Sequence, residues 1–152
     1  ESMHPFLASE LEEAVLGALM LEKDAYSQVS DILKPDSFYD DIHKIVYRAV
    51  VALASKQAPV DMLTVVEELR KTGELDAVGG PMYIAQLTEK VASAAHIEFH
   101  ARIIAQKYLA RELIGFSSDI TNKAFDETSD VSSNALLVIS DEKPMKHQML
   151  TI

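Results

Sequence analysis

The fold is decided by residues 93–125, which read SAAHIEFHARIIAQKYLARELIGFSSDITNKAF. This stretch contains no proline, and Gly115 is its only glycine, so no residue in it is a strong helix breaker. Apolar residues recur every three or four positions from Ala95 to Phe125, which is the spacing of a helix face. The stretch therefore predicts one helix of about 30 residues, well above the usual globular length of roughly 10–14 residues.

The predicted long helix has two apolar stripes and needs a cover for each. A short helix over residues 131–139 is expected to fold back after a polar turn at 126–130 and to cover one side as a helical hairpin. The other side is left either for the globular part of the same chain or for a second chain. The first stripe comprises Phe99, Ile103, Leu109, Leu113, Phe116 and Ile120, and the second comprises Ile97, Ala101, Ile104 and Tyr108.

Ahead of this helix, the sequence predicts a compact bundle of about five shorter helices, so the fold class is all-α. We expect a globular subdomain over residues 4–92, an oligomerising hairpin over 93–141 and a tail or linker over 142–152. In the fourth helix the expected core residues are Leu63, Val66 and Leu69, and in the fifth they are Ile84 and Leu87. The first helix is expected over 9–21, with Ser9 and Glu12 as its capping box, and the second over 25–33, ended by Pro35. Asp40 or Asp41 is expected to cap the third helix. Asp61 should cap the start of the fourth helix and Gly73 its end, and Pro81 should open the fifth, which runs to residue 90.

The charge balance argues against nucleic acid as a direct partner. The chain carries 24 acidic and 14 basic residues, a formal net charge of -10. Such a chain is repelled by phosphate backbones, so DNA contact is expected to be weak or absent and protein partners are favoured. There is no cysteine and no apolar run of the roughly 20 residues that a membrane helix needs, so we expect a cytoplasmic location and no membrane contact.

The chain lacks the residues that nucleotide chemistry needs. It has no G-x-x-x-x-G-K-[ST] phosphate loop, and the pair Gly79-Gly80 is followed by Pro81, which has no amide to donate. We predict no catalytic residue and no cofactor site in this chain. His43 is interpreted as a packed histidine that is hydrogen-bonded near the Phe38–Tyr39 turn, not as a base.

The histidines and cations of the long helix could each serve either as a binding site or as part of a solvated helix face. His96 and His100 are four residues apart and share a helix face, a spacing that can hold a metal, although no third ligand accompanies them. We favour a solvated or interface histidine pair and predict no metal site. Arg102, Lys107 and Arg111 form either a solvated face or a strip that docks an acidic partner, and we favour the former.

An ordered series of motifs resembles the N-terminal domain of DnaB-type bacterial replicative DNA helicases. The resemblance covers roughly residues 8–125, and the ordered series is more specific than any single motif. The motifs are EEAVLG at 12–17, DSFY at 36–39, His43, IVYRA at 45–49, PVD at 59–61, GELDAVGGPMYI at 73–84, SAAHI at 93–97 and YLARELI at 108–114.

The resemblance implies a function that the periodicity alone does not. Members of this family are hexameric, ATP-driven motors in which the N-terminal domains form a collar, with hairpins paired as a trimer of dimers. The C-terminal domain of primase docks on that collar, and ATP and magnesium belong to a separate motor domain. The resemblance therefore implies a non-catalytic domain that serves hexamer assembly and primase recruitment at the replication fork.

For the interface between copies, we expect a two-fold packing of one hairpin stripe on its copy. Large aliphatic and aromatic residues are the usual interface anchors. We predict Ile97, Ile104 and Tyr108 as exposed anchors, with Phe116 and Ile120 further along the helix. The alternative is a stand-alone protein of the same fold that binds or regulates a helicase, because residues 142–152 match the family linker poorly.

Overall fold

The computed structural model describes residues 5–90, 94–126 and 132. Within these residues the regular structure is helical and includes no strand, which confirms the all-α prediction. The predicted tail over 142–152 lies outside the described residues, as does the predicted returning helix over 131–139 apart from Ser132. The helices are α1 Pro5–Leu21, α2 Ala25–Val29, α3 Asp41–Ser55, α4 Met62–Thr72, α5 Gly80–Glu89 and α6 Ile97–Phe125, with 3₁₀ turns at Pro35–Ser37 and Ala94–His96.

The core of the N-terminal packing unit lies between α1, α3, α4 and α5. Helix α1 packs against each of the other three, α3 packs on α4, and α4 packs on α5. The 3₁₀ turn joins the core through Phe38, whose ring centroid lies 5.0 Å from that of Tyr47. The largest side chains that solvent hardly reaches are Leu16, Leu19, Phe38, Tyr47, Leu69, Ile84, Leu87 and Ile97.

Several helix boundaries are fixed by local chemistry that the sequence predicts. The Asp40 side chain accepts a hydrogen bond from the Ile42 amide at the start of α3. At α4, the Thr64 amide donates to Asp61 while the Asp61 amide donates to the Thr64 hydroxyl, a reciprocal capping box. Gly73 ends α4 with a φ of 74°, in the left-handed region. These caps are therefore confirmed.

The turn that opens α5 depends on glycine. Gly79 has a φ of 100° and Gly80 a φ of 76°, conformations that other residues rarely adopt. A Cβ atom on Gly79 would lie 3.1 Å from the Cβ of Tyr83. The glycine pair therefore lets the chain turn closely against the first turn of α5, where a side chain at residue 79 would crowd Tyr83.

Two helix ends differ from the prediction. Helix α1 begins at Pro5, so Ser9 lies inside the helix and the predicted Ser9 cap is wrong. Proline is tolerated in the first turn of a helix, where its missing amide would have no helical partner. Helix α2 ends at Val29, well before Pro35, and the chain continues as a turn in which the amides of Ile32 and Leu33 both donate to the Val29 carbonyl.

The buried face of α4 is also displaced from the prediction. It runs through Val65, Glu68 and Leu69, whereas Leu63 is exposed and Val66 is only partly buried. A step of two residues turns about 200° around a helix, so Leu63 and Val65 cannot share a face. The expectation that Leu63 faces the core is therefore wrong, and the expectation for Leu69 is confirmed.

Helix α6 runs for 29 residues without interruption, as predicted. The chain divides into two packing units, and the first extends to Ala105. The division into a globular subdomain and an oligomerising hairpin at residues 92 and 93 stays a prediction. The first turns of α6 supply Ile97, Ala101, Ile104 and Ala105 to the core of that unit. In the described part of the chain, no helix is long and apolar enough to cross a membrane.

Candidate functional site

A buried carboxylate connects α1 to the segment between the first 3₁₀ turn and α3. Glu12 is almost inaccessible to solvent. Its Oε2 atom accepts a hydrogen bond of 2.6 Å from the Tyr39 amide, and its Oε1 atom accepts one of 3.3 Å from the Asp40 amide. Burying a carboxylate is costly unless donors surround it, and two backbone amides meet part of that need.

His43 on α3 supplies a third partner to Glu12 and extends the network to α5. Its ring is fully buried, with Nδ1 at 2.7 Å from Glu12 Oε1 and Nε2 at 2.8 Å from the Tyr83 hydroxyl. An ionised carboxylate only accepts hydrogen bonds, so this geometry requires the proton on Nδ1. A neutral imidazole of this form accepts the Tyr83 hydroxyl proton at Nε2, and every atom of the network is then paired.

The Tyr83 hydroxyl keeps its proton strongly. Burial, together with the negative charges of Glu13, Asp40 and Glu12, raises the pKa of Tyr83 to about 12. Near neutral pH the hydroxyl is therefore protonated and available to donate to His43. In the described residues, no buried side-chain nitrogen or oxygen lacks a hydrogen-bond partner.

This arrangement is not suited to acid–base catalysis. A general base needs a free position within hydrogen-bonding reach of a substrate proton. Both nitrogens of His43 are occupied, and its ring has no exposed surface. The geometry agrees with the interpretation of His43 as a packed histidine near the Phe38–Tyr39 turn.

The sequence alone does not predict that Glu12 and Tyr83 bind His43 in a buried network, although the sequence around Glu12 contains an indication of its burial. The sequence predicts Glu12 only as the capping-box partner of Ser9. Glu12 shares a helix face with Val15, Leu16 and Leu19, because they follow it by three, four and seven positions. A charged residue on an apolar face predicts a buried partner, and His43 lies on the apolar face of α3 in the same way.

The beginning of α6 contradicts two of the predicted exposed anchors. Ile97 is 2% exposed and Ile104 is 3% exposed, and both belong to the hydrophobic core of their own chain. The prediction that they are exposed anchors is therefore wrong. Phe99, on the other stripe, is exposed instead. Periodicity identifies two apolar faces but cannot show which one the α1–α5 bundle covers.

The part of α6 in the second packing unit carries an exposed apolar surface. Ile114 is 67% exposed, and Leu113, Ile120 and Phe125 are exposed as well. Beside them, a shallow depression is lined by Leu113, Ile114, Ser117, Ser118, Thr121 and Asn122. We call the exposed set Leu113, Ile114, Ile120 and Phe125 the α6 apolar surface.

The remaining predicted anchors are placed as follows. Ile120 belongs to the α6 apolar surface, whereas Phe116 and Tyr108 are partly buried. The Arg111 guanidinium lies 5.9 Å from the centre of the Tyr108 ring, within the range of a cation–π contact. The role of these three residues at an interface stays a prediction.

The histidine pair lies at the beginning of α6, and the predicted cations follow along the same helix. The rings of His96 and His100 are 6.4 Å apart between centroids. The described residues contain no group of three or more histidine and acidic side chains that could hold a metal. Arg102 pairs with Glu98 at 2.9 Å one helix turn away, which agrees with the interpretation of a solvated face.

Comparison with known proteins places the chain in a family. The model of the DnaB-like helicase N terminal domain matches residues 5–106. The replicative DNA helicase DnaB of Rhodothermus marinus is 47% identical over 126 residues, which are 83% of this chain and 13% of that protein. This chain spans 31% of another relative, the replicative DNA helicase DnaC of Bacillus subtilis, with 36% identity.

Solved structures of related domains have the same fold as this chain, in agreement with the sequence comparisons. The N-terminal domain of DnaB helicase from Mycobacterium tuberculosis superposes with a TM-score of 0.80 and 33% identity, over 88% of this chain and 96% of that one. The corresponding domain from Helicobacter pylori, reported with its interactions with primase, shares the fold with a TM-score of 0.70 at 17% identity, over 82% of this chain and 100% of that one. The chain thus belongs to the family of DnaB-like helicase N-terminal domains.

Proposed function

We propose that this chain is the non-catalytic assembly and docking domain of a replicative DNA helicase, which contributes to hexamer formation and recruits primase. The observation that carries the proposal is a family match over residues 5–106 combined with an exposed apolar surface on α6. ATP and magnesium would be bound by a separate motor domain. On this proposal the domain acts in the cytoplasm and without membrane contact.

A non-catalytic role is supported by the chemistry of the chain itself. The sequence has no phosphate loop, and the Glu12–His43–Tyr83 network has no free position for a substrate. The net charge of -10 opposes tight DNA binding by this domain alone. The proposal therefore assigns the domain to protein contacts.

Self-association is supported by the α6 apolar surface. Four large apolar side chains are exposed on one helix, and soluble monomers rarely leave such a group uncovered without a role in binding. A symmetric pairing of hairpins over residues 93–141 would bury this surface against its copy, as a dimer and, in the parent protein, within a hexamer. Tyr108, Phe116 and Ile120 are the proposed contact residues.

Sedimentation velocity over a range of protein concentrations tests the self-association. We expect a concentration-dependent dimer or larger species, and Ile120→Asp should weaken its association constant about tenfold or more, as loss of a buried contact does. Gln28→Glu is the matched control, because it adds the same charge at an exposed position of α2, which is not part of the α6 apolar surface or of the depression beside it. A wild-type chain that stays monomeric at high concentration, or two variants with equal effects, would contradict the proposal.

Primase binding is supported by the fold alone, since the Helicobacter pylori domain of the same fold was reported with its interactions with primase. We expect the C-terminal domain of primase from the same organism to bind this chain in isothermal titration calorimetry. A primase lacking that domain is the control and should not bind. Equal heats from both would contradict docking through the C-terminal domain.

The second candidate is a stand-alone protein of this fold that binds or regulates a helicase. It rests on the expectation from the sequence alone that residues 142–152 do not match the family linker. The coding sequence downstream of Ile152 separates the two candidates. A G-x-x-x-x-G-K-[ST] motif there supports the helicase, and a stop codon with no motor domain supports the regulator.

A further inference from the structure

Two exposed side chains of the first packing unit stand at opposite ends of the buried polar network. Tyr39, in the segment before α3, is 63% exposed, and Met82, in the first turn of α5, is 73% exposed. We infer that Glu12, His43 and Tyr83 couple these two surface positions, so that a partner contacting the first turn of α5 changes how Tyr39 is presented, and the reverse. We call the segment of residues 38–41 the Tyr39 connector.

The Tyr39 connector is held by α1 through its backbone. The Tyr39 amide donates to Glu12 Oε2 at 2.6 Å, and the Asp40 amide donates to Oε1 at 3.3 Å. A hydrogen bond between a backbone amide and a carboxylate is among the stronger kinds in proteins. The Glu12 carboxylate therefore holds the backbone of the connector from which the Tyr39 side chain projects.

The carboxylate is positioned in turn by α3. Oε1 of Glu12 receives both the Asp40 amide and His43 Nδ1, the latter at 2.7 Å. A shift of the His43 imidazole therefore acts on Glu12 Oε1, the atom that also accepts the hydrogen bond from the Asp40 amide of the Tyr39 connector. Because Glu12 and His43 are buried, neither can replace a lost partner with bulk water at low cost.

The third contact brings α5 into the network. His43 Nε2 lies 2.8 Å from the Tyr83 hydroxyl, and Tyr83 follows Met82 directly in the first turn of α5. This turn is entered through Gly79 and Gly80, both with positive φ, and Gly79 packs closely against Tyr83. A contact that displaces the turn thus moves the tyrosine hydroxyl and passes the change to His43.

Coupling of this kind is reciprocal, because it is a free energy shared by two positions. Polar networks in a low-dielectric interior are also sensitive to the loss of a single member. Removal of the Tyr83 hydroxyl should therefore loosen the Tyr39 amide, although Tyr83 makes no direct hydrogen bond to Tyr39. That remote effect distinguishes coupling from simple packing.

Amide hydrogen exchange measured by NMR on the full chain tests this inference. We expect Tyr83→Phe to raise the exchange rates of the Tyr39 and Asp40 amides about fivefold, the effect of one neutral hydrogen bond. Glu12→Gln, which keeps one acceptor oxygen, should raise them further. Ile84→Val is the matched control, because it removes one methyl group from a fully buried neighbour on α5 at a similar small cost in stability.

Each outcome decides the inference. Selective acceleration at Tyr39 and Asp40 in Tyr83→Phe, absent in Ile84→Val, supports the coupling. Equal acceleration in both variants shows global unfolding only and overturns it. Unchanged exchange at Tyr39 in Tyr83→Phe also overturns it, and this conservative variant keeps the test valid even if Glu12→Gln does not fold.

Discussion

The two packing units differ in which side chains they bury and which they expose. The first unit, which extends to Ala105, buries polar groups such as Glu12 and His43 and gives each of them partners. The second unit exposes large apolar groups such as Ile114 and Phe125 on α6. The comparison indicates that the first unit joins its segments through paired polar groups, whereas the surface of the second is suited to binding.

The largest effect should come from placing the same charge in each unit. Ile104→Asp puts an unpaired carboxylate in the core of the first unit and should cost about 4 kcal/mol or more of unfolding free energy. Ile114→Asp, at an exposed position of the same helix, should change it by less than about 0.5 kcal/mol at a protein concentration low enough to keep the chain monomeric. Urea unfolding followed by circular dichroism measures both. Similar losses would show that the exposed part of α6 is as important to the fold as the core.

The next largest effect concerns the buried carboxylate. Glu12→Ala leaves His43 and two backbone amides without their acceptor and should cost about 3 kcal/mol, since each unpaired buried donor costs roughly 1–3 kcal/mol. Glu10→Ala removes an exposed carboxylate from the same helix and serves as the control, with an expected change below about 0.5 kcal/mol. Equal unfolding midpoints in urea would mean that the network contributes nothing to stability.

Alkaline pH should weaken the first unit through its tyrosines. Unfolded tyrosine titrates near a pKa of 10.0, whereas the folded pKa of Tyr83 is raised to about 12, mainly by burial. Between these values the unfolded chain binds fewer protons, so this contribution to stability is complete below pH 10 and is lost as pH rises towards 12. Melting temperatures measured from pH 8 to 11.5 should fall above pH 10.

Tyr83→Phe should reduce that alkaline fall without abolishing it. The pKa of Tyr47 is also raised, chiefly by burial, and its hydroxyl donates to the Leu33 carbonyl at 3.1 Å. Tyr47 therefore loses its contribution over the same rise in pH. A variant whose melting temperature follows the wild-type pH profile would contradict the role assigned to Tyr83.

The smallest effects should have opposite signs at two glycines. Gly73→Ala forces a side chain into a left-handed conformation at the end of α4 and should cost about 1 kcal/mol. Gly115→Ala lies within α6 with nothing near its added Cβ atom, so it should stabilise that helix by up to about 1 kcal/mol. Thermal unfolding measures both, and two changes of the same sign would contradict the assigned conformations.

Much of the fold was predictable because its signals are local. Asp40, Asp61 and Gly73 act within one helix turn of their own position, and each behaves as the sequence predicts. The length of α6 follows from the absence of helix breakers over residues 93–125. Predictions failed where a partner distant in sequence decides, as at Glu12, which bonds residues 27 to 31 positions away.

The amino-acid sequence by itself determined the helical class, the caps at Asp40, Asp61 and Gly73, and the two apolar stripes of α6, because these depend on neighbours within a few residues. It also carried the series of motifs that identifies the family. Only the tertiary structure decided that Ile97 and Ile104 are buried while Phe99 is exposed. The physical reason is that periodicity gives each helix its faces, but burial depends on which face the other helices cover.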